Sequence, residues 1–415
     1  MSVSSPNVGV RVFPNLANTV AAIDTRDSTV IGMALPAPNV TNPGQFTFPL
    51  DEPVRVSTDD AETIAKLGAG VAADAFAQIA SEGIVTDVIF TRVQHHADVD
   101  TQMGHVVGDA TAKTGLWSMI SAKDLLGIEP GLIIAPGYTN QRLGNDANPA
   151  ATAIDAICER LIDCLGVVDT PSNNREAAAI YASDFATSLN MLAMYPAARV
   201  FLGGQKVVKP LSPHVAAAIV RNDKANGNPF KAFWNKPLKG ILSTNQGVSY
   251  FDGRTDHDAN FLNFAGVGTV IENKLLWSPF STATDPTVIA YRSIKRIRTR
   301  RAIEKAIPRA LRGYAGQDLG PHLVTLIATA LSEKIDECVA AGALIDGEIV
   351  FPRGLNQATS LRDGELRLRF RSEETPELVD LGIDSEPMPE AYDTLISSIE
   401  GAISALGDPN IRVAA

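Results

Sequence analysis

The side chains able to do chemistry fall into a few groups along the 415 residues. His95 and His96 precede Asp98, Asp100 and His105, residue types that could hold a metal ion. Adjacent histidines at a strand end point to opposite sides, so this group reads as a solvated loop. Asp252, Asp256, His257 and Asp258 have roughly the spacing of a calcium loop, but they lack oxygen ligands at alternate positions and the closing bidentate Glu. They read as a turn between strands. Cys158 and Cys164 lie six apart in an apolar run that looks helical, and with Cys338 they read as buried thiols rather than redox groups. No Gly-x-Ser-x-Gly elbow or Gly-x-x-x-x-Gly-Lys phosphate loop occurs, and Gly266-Val267-Gly268 lacks the third glycine of a dinucleotide fingerprint. No cofactor is expected.

A basic run is the sharpest local asymmetry. Arg292, Lys295, Arg296, Arg298, Arg300, Arg301, Lys305, Arg309 and Arg312 crowd one helical stretch in a chain of net charge −11. Ile294, Ile297, Ile303 and Ile307 give it an apolar stripe. Three readings stay open. The face is solvated, or it pairs with acids such as Glu373, Glu374, Glu377 and Asp380 of another subunit, or it binds nucleic acid. The overall acidity ranks nucleic acid last.

Composition bounds the rest. With 45% apolar residues the chain can bury the cores of two or three domains, and three cysteines are too few for a disulfide framework. No apolar run approaches the roughly 18 residues needed to span a bilayer, and the first residues lack the pattern of a signal peptide. A cytoplasmic, non-membrane setting is expected.

The elements that must position these groups change character along the chain. Residues 1–29 read as an arm with strand chemistry at Val8, Val10, Val12 and Phe13, and residues 30–84 as a small unit of short strands, turns and two helices. From Val85 strands alternate with helices: Val85–Arg92, Leu132–Ala135, Gly166–Asp169 and Ala198–Leu202 as strands, Ala150–Leu165 and Arg175–Ala193 as helices. That alternation predicts a parallel sheet covered on both faces, an α/β layer domain over 85–270. Residues 271–404 read as an α+β unit, with strands at Val288–Tyr291, Glu348–Pro352 and Glu365–Arg371 and long helices at Ile294–Leu311 and Leu319–Ala341. An amphipathic helix follows near Tyr392–Leu406, and 405–415 is a second arm, with strand-like residues around Ile411 and Val413.

One segment carries a likeness. Ser212 to Ile241 runs Ser-Pro, a small apolar helix, Arg221-Asn222-Asp223, Gly227, the aromatics Phe230, Phe233 and Trp234, Asn235-Lys236-Pro237, then Leu238-Lys239-Gly240. In that order it resembles the central signature of contractile tail sheath proteins of P2-like phages and tailocins. The C-terminal half adds the family's order of a basic helix, a long helix ending Gly342-Ala343-Leu344, Asn356, and a strand led by Gly364. Two departures are visible: Ala217-Ala218 replaces the usual Ala-Gly step, and the aromatic turn is slightly longer.

The resemblance implies a non-catalytic subunit whose α/β domain has a subtilisin-like fold and which stacks in rings, hexameric by family habit, around a tail tube and contracts. Its partners would be copies of itself, the tube protein, and baseplate and tail terminator proteins, with neither nucleic acid nor membrane insertion. Val8, Val10, Val12, Phe13, Ile411 and Val413 would donate strands to a neighbour. The acceptor edge would hold Leu366, Leu368 and Phe370, while Lys295, Arg298, Arg300, Arg301 and Lys305 would face the tube. Phe230, Phe233 and Trp234 would pack at a junction between domains. The rival reading is a cytoplasmic α/β enzyme with a ligand at the carboxyl ends of its strands, near Gly137 or Gly203-Gly204. A sheath of a secretion machine, split over two chains and recycled by an unfoldase, is a third.

Overall fold

The computed structural model describes residues 26–41 and 47–406. The expected strand donors at Val8 to Phe13 and at Ile411 and Val413 lie outside the described residues. The chain divides into two units, residues 1–377 and 378–415.

The first unit is organised by strands β1 (Ile31–Pro36), β2 (Pro53–Ser57), β3 (Asp87–Val93), β4 (Leu132–Ile134), β5 (Leu165–Asp169), β6 (Met191–Met194), β7 (Ala198–Leu202), β8 (Gln205–Lys209), β9 (Lys236–Pro237), β10 (Ser243–Thr244), β11 (Val267–Ile271) and β12 (Leu275–Trp277). Nine of them form one sheet in the order β2-β3-β1-β4-β5-β6-β11-β12-β9. From β3 to β11 every neighbour is parallel, and β2, β12 and β9 add antiparallel edges.

Helices α1 (Ala61–Ala65), α2 (Val71–Ser81), α3 (Val99–Val107), α4 (Ala122–Leu126), α5 (Pro149–Leu161), α6 (Arg175–Ser183), α7 (Ser212–Asn226) and α8 (Asp258–Phe264) accompany the strands. Successive strand residues face opposite layers. Thus Ile31, Met33 and Leu35 join Phe76 and Ile79 of α2 and Val215 and Ile219 of α7 in one core. Ala34, Ile89 and Ile133 join Met103 of α3 and Ile154 and Ile157 of α5 in the other. The mixed α/β architecture with a parallel central sheet matches the expected class.

Several expected elements are placed differently. Residues 30–84 supply β1, the strand between β3 and β4, so the sheet begins well before residue 85. The helix expected to run from Arg175 to Ala193 stops at Ser183, and Met191–Met194 is a fully buried strand. Ala198–Leu202 leaves the parallel sheet and pairs antiparallel with β8, because Gly203 and Gly204, at φ 58° and 80°, make the tight turn that a hairpin needs. Val288–Tyr291 is no strand; Ile289–Tyr291 is a single 3₁₀ turn.

The rest of the first unit holds α9 (Ile294–Leu311), α10 (Pro321–Ala340), β13 (Leu344–Val350), α11 (Ala358–Arg362) and β14 (Arg369–Glu374). Ser293 caps α9 by accepting from Arg296 N. β13 and β14 form a two-stranded antiparallel sheet. A small core of Phe230, Ala302, Ile303, Cys338 and Leu344 joins this part to the loop after α7.

The second unit contains α12 (Ala391–Ala405), none of whose residues is buried. Tyr392, Leu395, Ile396 and Ile399 form its exposed apolar stripe. No helix among the described residues is long and apolar enough to cross a membrane.

Candidate functional site

The segment with the sequence signature is built around three buried carboxylates. α7 is buried on almost every turn, from Ser212 through Asp223. Asp169, at the end of β5, accepts from Leu211 N at 2.7 Å, Ser212 N at 2.8 Å and Ser212 Oγ at 2.5 Å. It thereby satisfies the orphan amides that open α7. Burial pushes the Asp169 carboxyl above its usual range, against those bonds.

Glu82, just past α2, is the second. Arg221 Nη1 donates to Oε2 at 2.5 Å, Lys239 N to Oε2 at 2.9 Å and Gly240 N to Oε1 at 2.9 Å, and His214 Nδ1 lies 3.1 Å from Oε1. Burial opposes its ionisation, but these bonds outweigh burial and hold the carboxyl below its ordinary value. Arg221 also donates to Pro237 O at 2.7 Å. Gly240 is required here: a Cβ would stand 2.0 Å from Ser81 Oγ and 2.7 Å from the His214 ring.

Asp223 is the third, bonded through both oxygens by Arg298 of α9. Burial works against a charged Arg298, yet the Asp223 carboxylate outweighs it and keeps the guanidinium above its ordinary value. Asn222 donates to Lys231 O at 3.0 Å and accepts from Lys236. The Arg-Asn-Asp and Leu-Lys-Gly steps of the signature are therefore the two sides of one polar network, closed by Glu82 from a distant part of the chain.

The aromatics of that loop pack. Phe233 and Trp234 sit in the sheet core, with Trp234 edge-on to Trp277 at 5.1 Å, whereas Phe230 sits in the small core with Ala302 and Cys338.

The basic helix differs from expectation. Lys295, Arg298 and Lys305 are buried, at 7%, 4% and 8% exposure, and committed within the chain to Thr375 O, Asp223 and Glu129. A tube contact through these three would first have to break internal bonds. Arg300 pairs with Glu374 at 2.7 Å and Arg301 with Glu159 at 3.2 Å. Three of the four acids expected on another subunit are partners in the same chain: Arg296 bonds Glu373 and Glu374, and Ser293 Oγ donates to Glu377 at 2.7 Å. The reason is folding: β14 returns alongside α9 and carries its acids there.

The expected acceptor strand is shifted. β14 begins at Arg369, so only Phe370 of the three named residues is in a strand. At Arg367 the side chain of Asn356 takes a neighbour strand's place, accepting from Arg367 N and donating to Arg367 O, both at 2.8 Å. Leu366, Leu368 and Phe370 still share one face, lining a groove of about 430 Å³ with Leu311, Leu323 and Leu331. Among the described residues neither outer edge of the β13-β14 sheet is paired.

The remaining polar clusters hold the chain in place. Asp98 caps α3 by accepting from Thr101 N, His257 Nδ1 caps α8, and Asp258 pairs with Arg175. Among the described residues no group of three or more His, Cys, Asp or Glu could hold a metal ion. Beyond the carboxyl ends of β4 and β5 lies a polar cleft of about 660 Å³ lined by Asn140, Arg142, Ser172 and Asn173. It has no His, Cys, Asp or Glu in its lining, and Arg142 is held by Asp184 at 2.7 and 2.9 Å. Gly203-Gly204, the other position named for a ligand, is the β7-β8 hairpin turn.

The chain is similar to two solved sheaths in their contracted states. One is the PVC extracellular contractile injection system, with a TM-score of 0.65 at 13% identity, covering 94% of this chain and 99% of that one. The other is the helical sheath of the anti-feeding prophage, with a TM-score of 0.65 at 14% identity, covering 93% and 100%. The fold is that of the contractile sheath proteins. No family model matches. In sequence the chain is 26% identical over 288 residues to a prophage major tail sheath protein of Pseudomonas aeruginosa, covering 67% of this chain and 70% of the relative. It is 21% identical over 408 residues to the tail sheath protein of Escherichia phage P2, covering 94% and 98%. In sequence and in fold the chain is similar to contractile tail sheath proteins, which are structural subunits rather than enzymes.

Proposed function

We propose that the subunit polymerises with copies of itself as helical, hexameric rings around a tail tube in a virion tail, and contracts to drive that tube through the target envelope. The observation that carries this is the β13-β14 sheet, two strands whose outer edges are unpaired among the described residues, beside an apolar groove. Open edges accept strands from other chains. The segments holding Val8, Val10, Val12 and Phe13 at one end and Ile411 and Val413 at the other are the donors. Main-chain bonds of this kind keep subunits linked while the α/β domains repack between two states of different interface burial.

Baseplate and terminator proteins would cap the two ends of the tube, and assembly would take place in the host cytoplasm. Of the basic helix, Arg300 retains 41% side-chain exposure and is the residue suited to an acidic face of the tube protein. Negative-stain microscopy of the purified chain tests the reading. Hollow tubes or rings are expected from the full chain, and soluble monomers from chains lacking residues 1–25 or 405–415. A compact monomer from the full chain under all conditions would overturn it, as would unchanged tubes from both truncations.

A further inference from the structure

Cys158 and Cys164 lie together in the buried core beneath α5. A helix continuing through both would set them about 120° apart around its axis and about 9 Å apart along it. Instead α5 stops at Leu161, and Ile162 takes φ 67° and ψ −69°, in a three-residue turn closed by Asp163 N donating to Leu161 O at 2.9 Å. The chain doubles back, and the two sulfur atoms lie 3.1 Å apart, both as free thiols. Cys158 is fully buried, while Cys164, next to the start of β5, keeps 6% exposure. The last turn of α5, which carries Cys158, is anchored outward: Glu159 accepts from Asn190 at 2.7 Å and from Arg301 of α9 at 3.2 Å.

We propose that Cys158 and Cys164 form a redox-responsive dithiol that closes to an intrachain disulfide on meeting a small-molecule disulfide, fastening the end of α5, with which Arg301 of α9 pairs, to the start of β5. Cys164, the more exposed thiol, attacks first as its thiolate. Its sulfur bonds to one sulfur of the reagent, whose S–S bond breaks and releases one thiolate. Cys158 then gives up its proton and attacks Cys164 Sγ, expelling the second reagent thiolate. The two released thiolates take up the two protons the cysteines lost. The protein dithiol is oxidised by two electrons and the reagent disulfide is reduced to two thiols. Burial pushes the Cys158 thiol up, which suits it to the second, intramolecular step, where proximity replaces reactivity. A chain made in a reducing cytoplasm and later released would meet this chemistry outside.

The test uses the full chain incubated with oxidised glutathione, unfolded, and alkylated. Titratable thiols should fall from three to one. Trypsin cuts after Arg160, between the two cysteines, so the flanking peptides should stay joined until reduced. In Cys164→Ser both remaining thiols should persist, because Cys158 and Cys338 are buried. Three thiols retained by the wild type, stable glutathione adducts without closure, or a bridge through Cys338 would each overturn the proposal. Equal thiol loss in Cys164→Ser would overturn the assignment of Cys164 as the first to react.

Discussion

Arg298 of α9 bonds both carboxylate oxygens of Asp223 of α7, and the two residues are only 4% and 1% exposed. The pair ties the helix of the sequence signature to the first helix of the C-terminal part. It explains why the signature needs an aspartate at the end of α7. Two charges in an apolar junction are tolerable only together, since either alone would be desolvated without compensation.

Arg298→Ala is therefore expected to lower stability by about 3–5 kcal/mol by stranding the Asp223 charge. Replacing both residues with apolar ones of similar volume should recover much of the loss. Urea unfolding of the single and double variants measures this, and a single variant as stable as wild type would show that the pair is solvated.

Gly240→Ala addresses the other side of the network. The added methyl would meet Oγ of the exposed Ser81 and the His214 ring, which is fully buried and has no room to give. Overpacking of this kind costs roughly 1–3 kcal/mol. The Lys239 and Gly240 amides would also be pushed off Glu82, so a thermal melt should show a clear drop.

How far the sequence revealed this arrangement depends on whether a signal is local. α9 was legible to its ends, because Ser293 caps it and its isoleucines repeat at helical spacing. β6 was not: Met-Leu-Ala-Met is made of strong helix formers, and only burial between β5 and β11 makes it a strand. Short strands were read in residues 30–84, but no local signal shows that one of them, β1, lies between β3 and β4 in the main sheet. The signature loop stood out as a motif, but its meaning depends on Glu82, more than a hundred residues away from each of its partners, and no periodicity carries that. The basic run was visible as charge. That Arg296 and Arg300 face acids on β14, and Arg298, Arg301 and Lys305 acids elsewhere in the chain, follows only from how the chain returns.

Glu82 also fixes a pH dependence. Its folded-state value lies below its unfolded value, which is about 4.3. Its contribution to stability is thus fully present above that unfolded value and is lost as pH falls through the folded one. Asp169, raised by burial, has the opposite sign, its contribution fading as pH rises. Glu82→Gln should destabilise the chain at neutral pH and make stability less sensitive to acid between pH about 5 and 3. Urea midpoints across that range test it, and parallel curves for wild type and variant would refute the assignment.

Trp234 tests whether the aromatic loop is a junction rather than a surface feature. Its ring is 8% exposed and meets Trp277 edge-on at 5.1 Å, while Phe230, four residues earlier, packs in the separate core of α9 and α10. Removing the indole should cost about 3–5 kcal/mol by leaving a cavity in the sheet core. The damage should also reach assembly, since this loop links the sheet to the part that carries β13 and β14. Trp234→Phe keeps most of the buried area and should restore tubes where Trp234→Ala abolishes them. Normal tubes from Trp234→Ala, seen by negative-stain microscopy, would mean that the loop does not hold the two parts in register.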